Sequence, residues 1–336
     1  MQAFGHDAPR RLDDPSAIIE IDAPEPEMGP DDLLVSVRAA SVNPVDSKVR
    51  QNLAPEAGPR ILGWDAAGDV VAVGANVSGF APGDAVYYAG DLTRPGSNAE
   101  RQAVDHRLAA KKPTSLDYAA AAALPLTTIT AWEMLFDRFR LQPGAQDQSG
   151  SVLVVGGAGG VGSIAIQLAK TLTPFTVLAT ASRPETGDWV RELGADHVIN
   201  HSAPFAEAVK AAVPGGVSHA FSTNGTGTHW AQIIEAMAPQ GHIGLIDDPE
   251  QLDASLLKLK SLTLTWEFMF TRSMFATADI GAQGALLART AALIDDGRLR
   301  TTLADHLGKM SVETLRKAHG LLESGRSRGK IVLDVA

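Results

Sequence analysis

From residue 151 onward, short apolar runs alternate with longer stretches in which apolar positions recur every three or four residues. The runs at 151–155, 176–180, 197–199, 217–222, 241–246 and 261–265 are rich in Val, Ile, Leu and Thr and read as strands. Between them, 160–171, 185–193, 203–212 and 228–238 carry helical periodicity. Six strands joined by crossovers of this length predict an α/β fold with a doubly wound parallel Rossmann sheet.

The first third has a different rhythm. Leu33 to Arg38 alternates, Gly68 to Gly74 carries Val70, Val71 and Val73, and Asp84 to Tyr88 forms another short run. Gly29-Pro30, Gly58-Pro59, Pro82-Gly83 and Pro95-Gly96 punctuate them, which predicts a compact, mostly antiparallel β domain. Helical patterns follow at Ala119 to Leu124 and Thr128 to Arg140, with Pro125 read as a break, and then a polar stretch from Gln142 to Gly150. Beyond Phe270 the pattern is helical at Ala285 to Asp296 and Val312 to Ser324, then strand-like at Lys330 to Leu333. That last strand most simply rejoins the N-terminal domain. The expected organisation is therefore a discontinuous domain of 1–125 and 270–336 around a dinucleotide-binding domain of 126–269.

The most specific local feature is Val152-Leu-Val-Val-Gly-Gly-Ala-Gly-Gly-Val-Gly162. A strand that turns directly into a helix needs residues without side chains, and a pyrophosphate must approach that turn closely. Gly157, Gly159 and Gly162 satisfy G-x-G-x-x-G; Ala158, Gly160 and Val161 complete the loop. Val161, Ile164, Ala165 and Leu168 then share one helical face. The bare amides of the first helical turn, with the helix dipole, attract an anion. The motif predicts dinucleotide binding.

Which nicotinamide nucleotide follows from the end of the second strand, where Asp or Glu would accept hydrogen bonds from the ribose 2′-hydroxyl. Here Thr176 to Thr180 runs into Ala181-Ser182-Arg183-Pro184, with no acid at the strand end. A guanidinium suits a 2′-phosphate and Ser182 adds a donor, which predicts NADPH. A solvated Arg183 ahead of a capped helix is the plainer alternative.

Composition narrows the partners. The net charge is −10, which argues against a nucleic-acid ligand. No 18 consecutive apolar residues occur and the N-terminus lacks signal-peptide order, so a cytoplasmic location without membrane contact is expected. There is no cysteine, which removes disulfides and thiolate-bound zinc from consideration. Among nine histidines, His197 and His201 share a short segment without a third ligand nearby, so no metal site is predicted.

Several further segments carry a family resemblance: Ser41-Val-Asn-Pro-Val-Asp46, Gly63-Trp-Asp-Ala-Ala-Gly68, Pro82-Gly-Asp-Ala-Val86, Leu124-Pro-Leu-Thr-Thr128, Gly156 to Gly162 and Arg328-Gly-Lys330. In this order and spacing the chain resembles the medium-chain dehydrogenase/reductase superfamily over almost its whole length. It is most similar to the zinc-lacking quinone oxidoreductase branch. Ser182 to Thr186 and Trp266 to Arg272 further resemble the proteins labelled zinc-type alcohol dehydrogenase-like. The resemblance implies a GroES-like fold for the β-rich domain and a homodimer formed through the strand near 261–265. It also implies further cofactor contacts at His201, Leu245, Ile246, Phe268 and Lys330. In zinc members a Cys and a His ligate the metal where this chain has Asn43 and Trp64, and neither amide nor indole replaces them well.

A metal-free site suits quinones and α,β-unsaturated carbonyls, because charge from hydride addition spreads into an enolate or hydroquinone. Asn43, extended before Pro44, offers a hydrogen bond or caps a turn. Lys48 offers a proton or is solvated. Thr127 contacts the nicotinamide carboxamide or caps its helix. Trp64, Tyr87, Tyr88, Phe268, Met269 and Phe270 wall an apolar pocket or belong to the core. The expected activity is NADPH-dependent reduction of quinones or enones. The alternatives are an enoyl reductase for a particular metabolite and an NADPH-binding redox sensor or structural protein with little turnover.

Overall fold

The computed structural model describes residues 1–145 and 147–335. The chain forms two compact units, Met1–Ile129 with Phe270–Ala336, and Thr130–Met269.

In the first unit, the long strand Asp32–Val42 is the organising element. It pairs antiparallel with Asp65–Val73, with Arg101–Asp105 and with the C-terminal strand Lys330–Asp334. The terminal strand thus returns to the N-terminal sheet, with Ile331 opposite Val42 and Val332 opposite Ser41. Ala85–Ala89 and Ala109–Lys111 extend one side, and Leu303–Lys309 the other. A separate small sheet holds Ile19–Asp22, Gln2–His6 and Arg60–Ile61. Inward positions Leu33, Val35, Val37, Val70, Val86, Tyr88, Ile331 and Leu333 form one apolar core. The strands Gln2–His6, Ile19–Asp22 and Arg60–Ile61 escape a hydropathy reading because they carry too little periodicity of their own.

The second unit is a six-stranded parallel sheet. Its order is His197–Ile199, Thr176–Thr180, Ser151–Val155, Val217–Ser222, Met237–Leu245, Thr263–Trp266. This is the predicted doubly wound arrangement, with the glycine-loop strand at the centre where the order reverses. The central strand is buried along its whole length, as expected of a strand covered on both faces. Of the polar stretch 142–150, Gln146 lies outside the described residues.

The break read at Pro125 is present: the helix Tyr118–Ala122 ends just before it, and Pro125 begins the helix Pro125–Trp132, where its missing N–H costs nothing. That helix passes directly into a π-helical segment, Glu133–Arg138. Together with Tyr118–Ala122 this makes a largely apolar run of 21 residues, Tyr118–Arg138. It is 94% buried within the protein, the position of a core helix.

Candidate active site

Two groups of residues from the sequence reading come together, one in each unit. In the Rossmann unit, Gly156 turns out of the central strand with φ +80°, a conformation that side chains resist. Its amide donates to Thr180 Oγ1 at 2.9 Å, tying the loop to the next strand. The helix Gly160–Leu172 then starts from Gly159, and no side chain caps it. Gly159, Gly160 and Val161 are half-exposed, while Gly157 and Ala158 are buried.

The glycines differ in why they are glycine. A Cβ on Gly162 would lie 2.4 Å from Gly156 O, so the turn itself forbids one. A Cβ on Gly159 would meet only Gly156 O, at 3.5 Å, an ordinary contact. The protein therefore leaves the approach to the helix end open at Gly159 without needing to do so for its own packing. An uncapped helix start beside that opening fits a nucleotide pyrophosphate.

Beside this loop the second strand leads to Ser182 and Arg183, both half-buried. Arg183 precedes the helix Pro184–Glu192, and its Nε donates to Glu185 Oε1 at 2.7 Å. The acid missing from the strand end thus enters two residues later, paired with the guanidinium. His201, half-buried, faces His229 with ring centroids 5.5 Å apart. Burial lowers the His201 pKa, and the nearby charges of His229 and Arg183 lower it further. Leu245 is fully buried in the sheet core, so only its backbone remains for any ligand. Ile246 is half-buried, and Phe268 is 48% exposed.

In the other unit the superfamily's metal position is filled by a charge cluster. Asp65, at the head of its strand, has no solvent exposure. Its Oδ2 accepts from Ser41 Oγ at 2.8 Å and Asn43 Nδ2 at 2.8 Å, and lies 3.0 Å from Lys330 Nζ. Its Oδ1 accepts from the Leu126 amide at 2.6 Å. Lys330 also donates to Val42 O at 2.9 Å and to Asn43 Oδ1. All three of its N–H groups thus have partners within this unit.

Asn43 precedes the helix Pro44–Asn52, so the capping alternative is correct for its backbone. Its side chain instead turns into the charge cluster and is buried. Asp46 Oδ2 accepts from the Asn43 amide at 2.7 Å, while Oδ1 has no hydrogen-bond partner. Burial, aided by the charge of Asp65, raises the Asp46 pKa to about 7, against the pull of the Asn43 amide and Lys330. Lys48 lies apart, on the exposed face of the same helix. Thr127 is buried two residues inside its helix, with its hydroxyl donating back to Leu124 O at 3.2 Å. It is not the helix cap.

The aromatic wall is also revised. Trp64, Tyr87 and Tyr88 have no exposed surface, and Met269 and Phe270 are nearly as buried. Trp64 donates to Asp91 O at 3.2 Å and meets Phe270 edge-on at 6.2 Å. Tyr87 donates to Leu287 O at 2.6 Å. These rings are core, because burial of aromatics at strand positions outweighs any gain from leaving them open.

Sequence reasoning missed Asp65, Asp46, Glu185 and His229. Asp65 and Lys330 did carry a hint: opposite charges within otherwise apolar strands need each other once buried. Pairing residues 265 positions apart required the fold. The residues at the metal position do not fit zinc. Asn43 is held by an ammonium and a carboxylate, Trp64 is an indole in the core, and no group of three acidic, His or Cys residues among the described residues is placed to hold an ion.

A parallel sheet with a glycine-rich turn, joined to an antiparallel domain completed by the C-terminal strand, defines a dinucleotide-dependent oxidoreductase architecture. The comparisons agree: residues 29–114 match the alcohol dehydrogenase GroES-like domain, and residues 193–333 match the zinc-binding dehydrogenase domain. The chain belongs to the medium-chain dehydrogenase/reductase superfamily. It is 40% identical to a zinc-type alcohol dehydrogenase-like protein of Staphylococcus aureus (strain MRSA252), over 100% of both chains. A solved structure from Rhizobium etli CFN 42, carrying the label of a zinc-dependent alcohol dehydrogenase, is 49% identical. It superposes with a TM-score of 0.95, covering 100% of this chain and 98% of that one. Over 186 residues the chain is 41% identical to an NADPH-dependent alkenal/one oxidoreductase of Arabidopsis thaliana, covering 53% of this chain and 47% of that protein.

Proposed function

We propose that this protein is an NADPH-dependent, metal-free reductase of quinones or α,β-unsaturated carbonyls. The observation that carries the reading is the open, uncapped helix start at Gly159–Gly162, with Arg183 and His201 at the ends of the neighbouring strands. The alkenal/one oxidoreductase of Arabidopsis supports both the nucleotide and the substrate class. A bound NADPH would supply a hydride. The chain's own part is to seat the pyrophosphate on the amides of 160–162 and to hold the 2′-phosphate with Ser182, Arg183 and His201. In the β-rich unit, Lys330 and Asp65 lock Asn43 and the Leu126 amide in place, which fixes the start of the helix carrying Thr127. Asp65 and Asp46, the acids of this cluster, are buried, and water supplies the proton to the reduced product. Conjugated substrates suit such a site, since their developing charge is spread before the proton arrives.

The reading includes a homodimer. The strand Thr263–Trp266 lies at the edge of its sheet with Trp266 47% exposed, and Phe268 just beyond is similarly open. An apolar edge of this kind is suited to a second copy of the chain, which light scattering would detect.

The test is to supply purified protein with NADPH or NADH and a panel of quinones, enones, saturated ketones and alcohols, with and without a chelator. NADPH should be oxidised by quinones or enones, unaffected by chelation. Chelator-sensitive alcohol oxidation would overturn the reading, and tight NADPH binding without turnover of any substrate would favour a sensing role.

A further inference from the structure

His229 lies in the first turn of the helix Thr226–Ala236, and His201 follows the strand His197–Ile199. The two rings meet edge-on at 61°, with centroids 5.5 Å apart, and the His229 ring also meets Phe205 edge-on at 5.6 Å. His201 Nδ1 is buried with no hydrogen-bond partner. Arg183 is close enough for its charge to act on His201, and Glu185 pairs with that guanidinium from the same turn. Two imidazoles in contact, one with an orphaned nitrogen, thus lie within the field of a guanidinium that has its own carboxylate partner. Such a cluster is unfavourable by itself and favourable around a dianion. Burial lowers the pKa of both imidazoles, so near neutral pH they await a negative partner in the uncharged form.

We infer that His229 is a specificity-determining residue for a phosphomonoester at the adenosine end of the cofactor, completing a cluster with His201 and Arg183 that takes up a proton from solvent when the phosphate binds. The inference rests on the NADPH reading above and deepens it. Its consequence is a nucleotide preference that changes with pH. A phosphomonoester is itself fully ionised well above its second pKa of about 6, which by itself would favour binding at higher pH. A preference for NADPH that weakens as pH rises must therefore come from the imidazoles.

The experiment is calorimetric titration of the full-length protein with NADPH and with NADH between pH 6.5 and 8.5, in two buffers of different ionisation enthalpy. The wild-type ratio of NADPH to NADH affinity should fall about tenfold across this range, the worth of one charge-assisted hydrogen bond. Proton uptake should accompany NADPH alone. His229→Phe keeps a ring against Phe205 and should flatten the pH profile, lowering NADPH affinity at pH 6.5 while leaving NADH unchanged. His229→Gln, uncharged but still polar, should do the same and stands in if the Phe variant folds poorly. Preferential NADPH binding with an unaltered profile in both variants would overturn the inference and leave the cofactor reading intact. Equal affinity for the two nucleotides in the wild-type protein, or none for either, would overturn both.

Discussion

The glycine turn of the Rossmann unit and the charge cluster of the β-rich unit treat polar groups in opposite ways. At the turn, the first amides of the helix 160–172 have no side-chain cap and the chain around Gly159 is half-exposed. In the cluster, Asp65, Asn43 and Lys330 are buried, and the donors of Lys330 all meet acceptors of the same unit. The first region withholds internal partners and so stays available to an anion. The second satisfies itself and so holds shape. A buried ion pair adds little net stability compared with apolar packing, but removing one member leaves an uncompensated charge. The comparison teaches where each unit is sensitive: ligand affinity in one, folding in the other.

The largest effect should come from Lys330→Met. Leaving Asp65 without its ammonium should cost about 3–5 kcal/mol in denaturant unfolding. Adding Asp65→Asn should recover much of the loss. A single variant as stable as wild type would show that the cluster does not hold its unit.

Next comes Arg183→Ala in the Rossmann unit, where folding should hardly change. Losing a charged hydrogen bond should weaken NADPH about tenfold or more and spare NADH. Equal weakening of both nucleotides would remove the phosphate role from Arg183.

The glycines sharpen the contrast within one loop. Gly159→Ala should leave thermal stability nearly unchanged, because its Cβ meets only an ordinary contact. Nucleotide affinity should nonetheless fall about tenfold, the scale of mild steric overpacking. Gly162→Ala, whose Cβ would strike Gly156 O at 2.4 Å, should lower stability and affinity together. Affinity unchanged in the Gly159 variant would mean that no ligand occupies the opening.

A pH-dependent effect concerns Asp46. With its pKa raised to about 7 by burial, the folded protein keeps a proton there that the unfolded chain releases near pH 4. The folded state binds more protons across that window, so this residue's contribution makes stability fall as pH rises from about 4 to 7. Asp46→Asn keeps an acceptor for the Asn43 amide and removes the charge. It should flatten the fall and leave the variant relatively more stable at pH 8 than at pH 5. A pH profile identical to wild type would show that Asp46 does not titrate in this way.

What could be read from the chain follows the same division. The strand and helix rhythm of 151–266 and the turn at 156–162 are local: each depends on residues within about a dozen positions, so periodicity and glycine spacing expose them. The short strands at 2–6 and 19–22 were illegible because they gain their order by pairing, not by pattern. Likewise Arg183 was visible as a candidate while its partner Glu185 was not, since a side-chain orientation decides that pair.

The amino-acid sequence by itself determined the parallel sheet, the bare helix start and the lack of thiolate ligands, because backbone freedom and residue chemistry are properties of neighbours or of composition. Only the tertiary structure decided that Lys330 meets Asp65 and Asn43, that Tyr87 and Tyr88 are core, and that His229 faces His201. Those contacts join residues distant along the chain, and their energies exist only once water has been excluded and the partners have been brought within a few ångströms of each other.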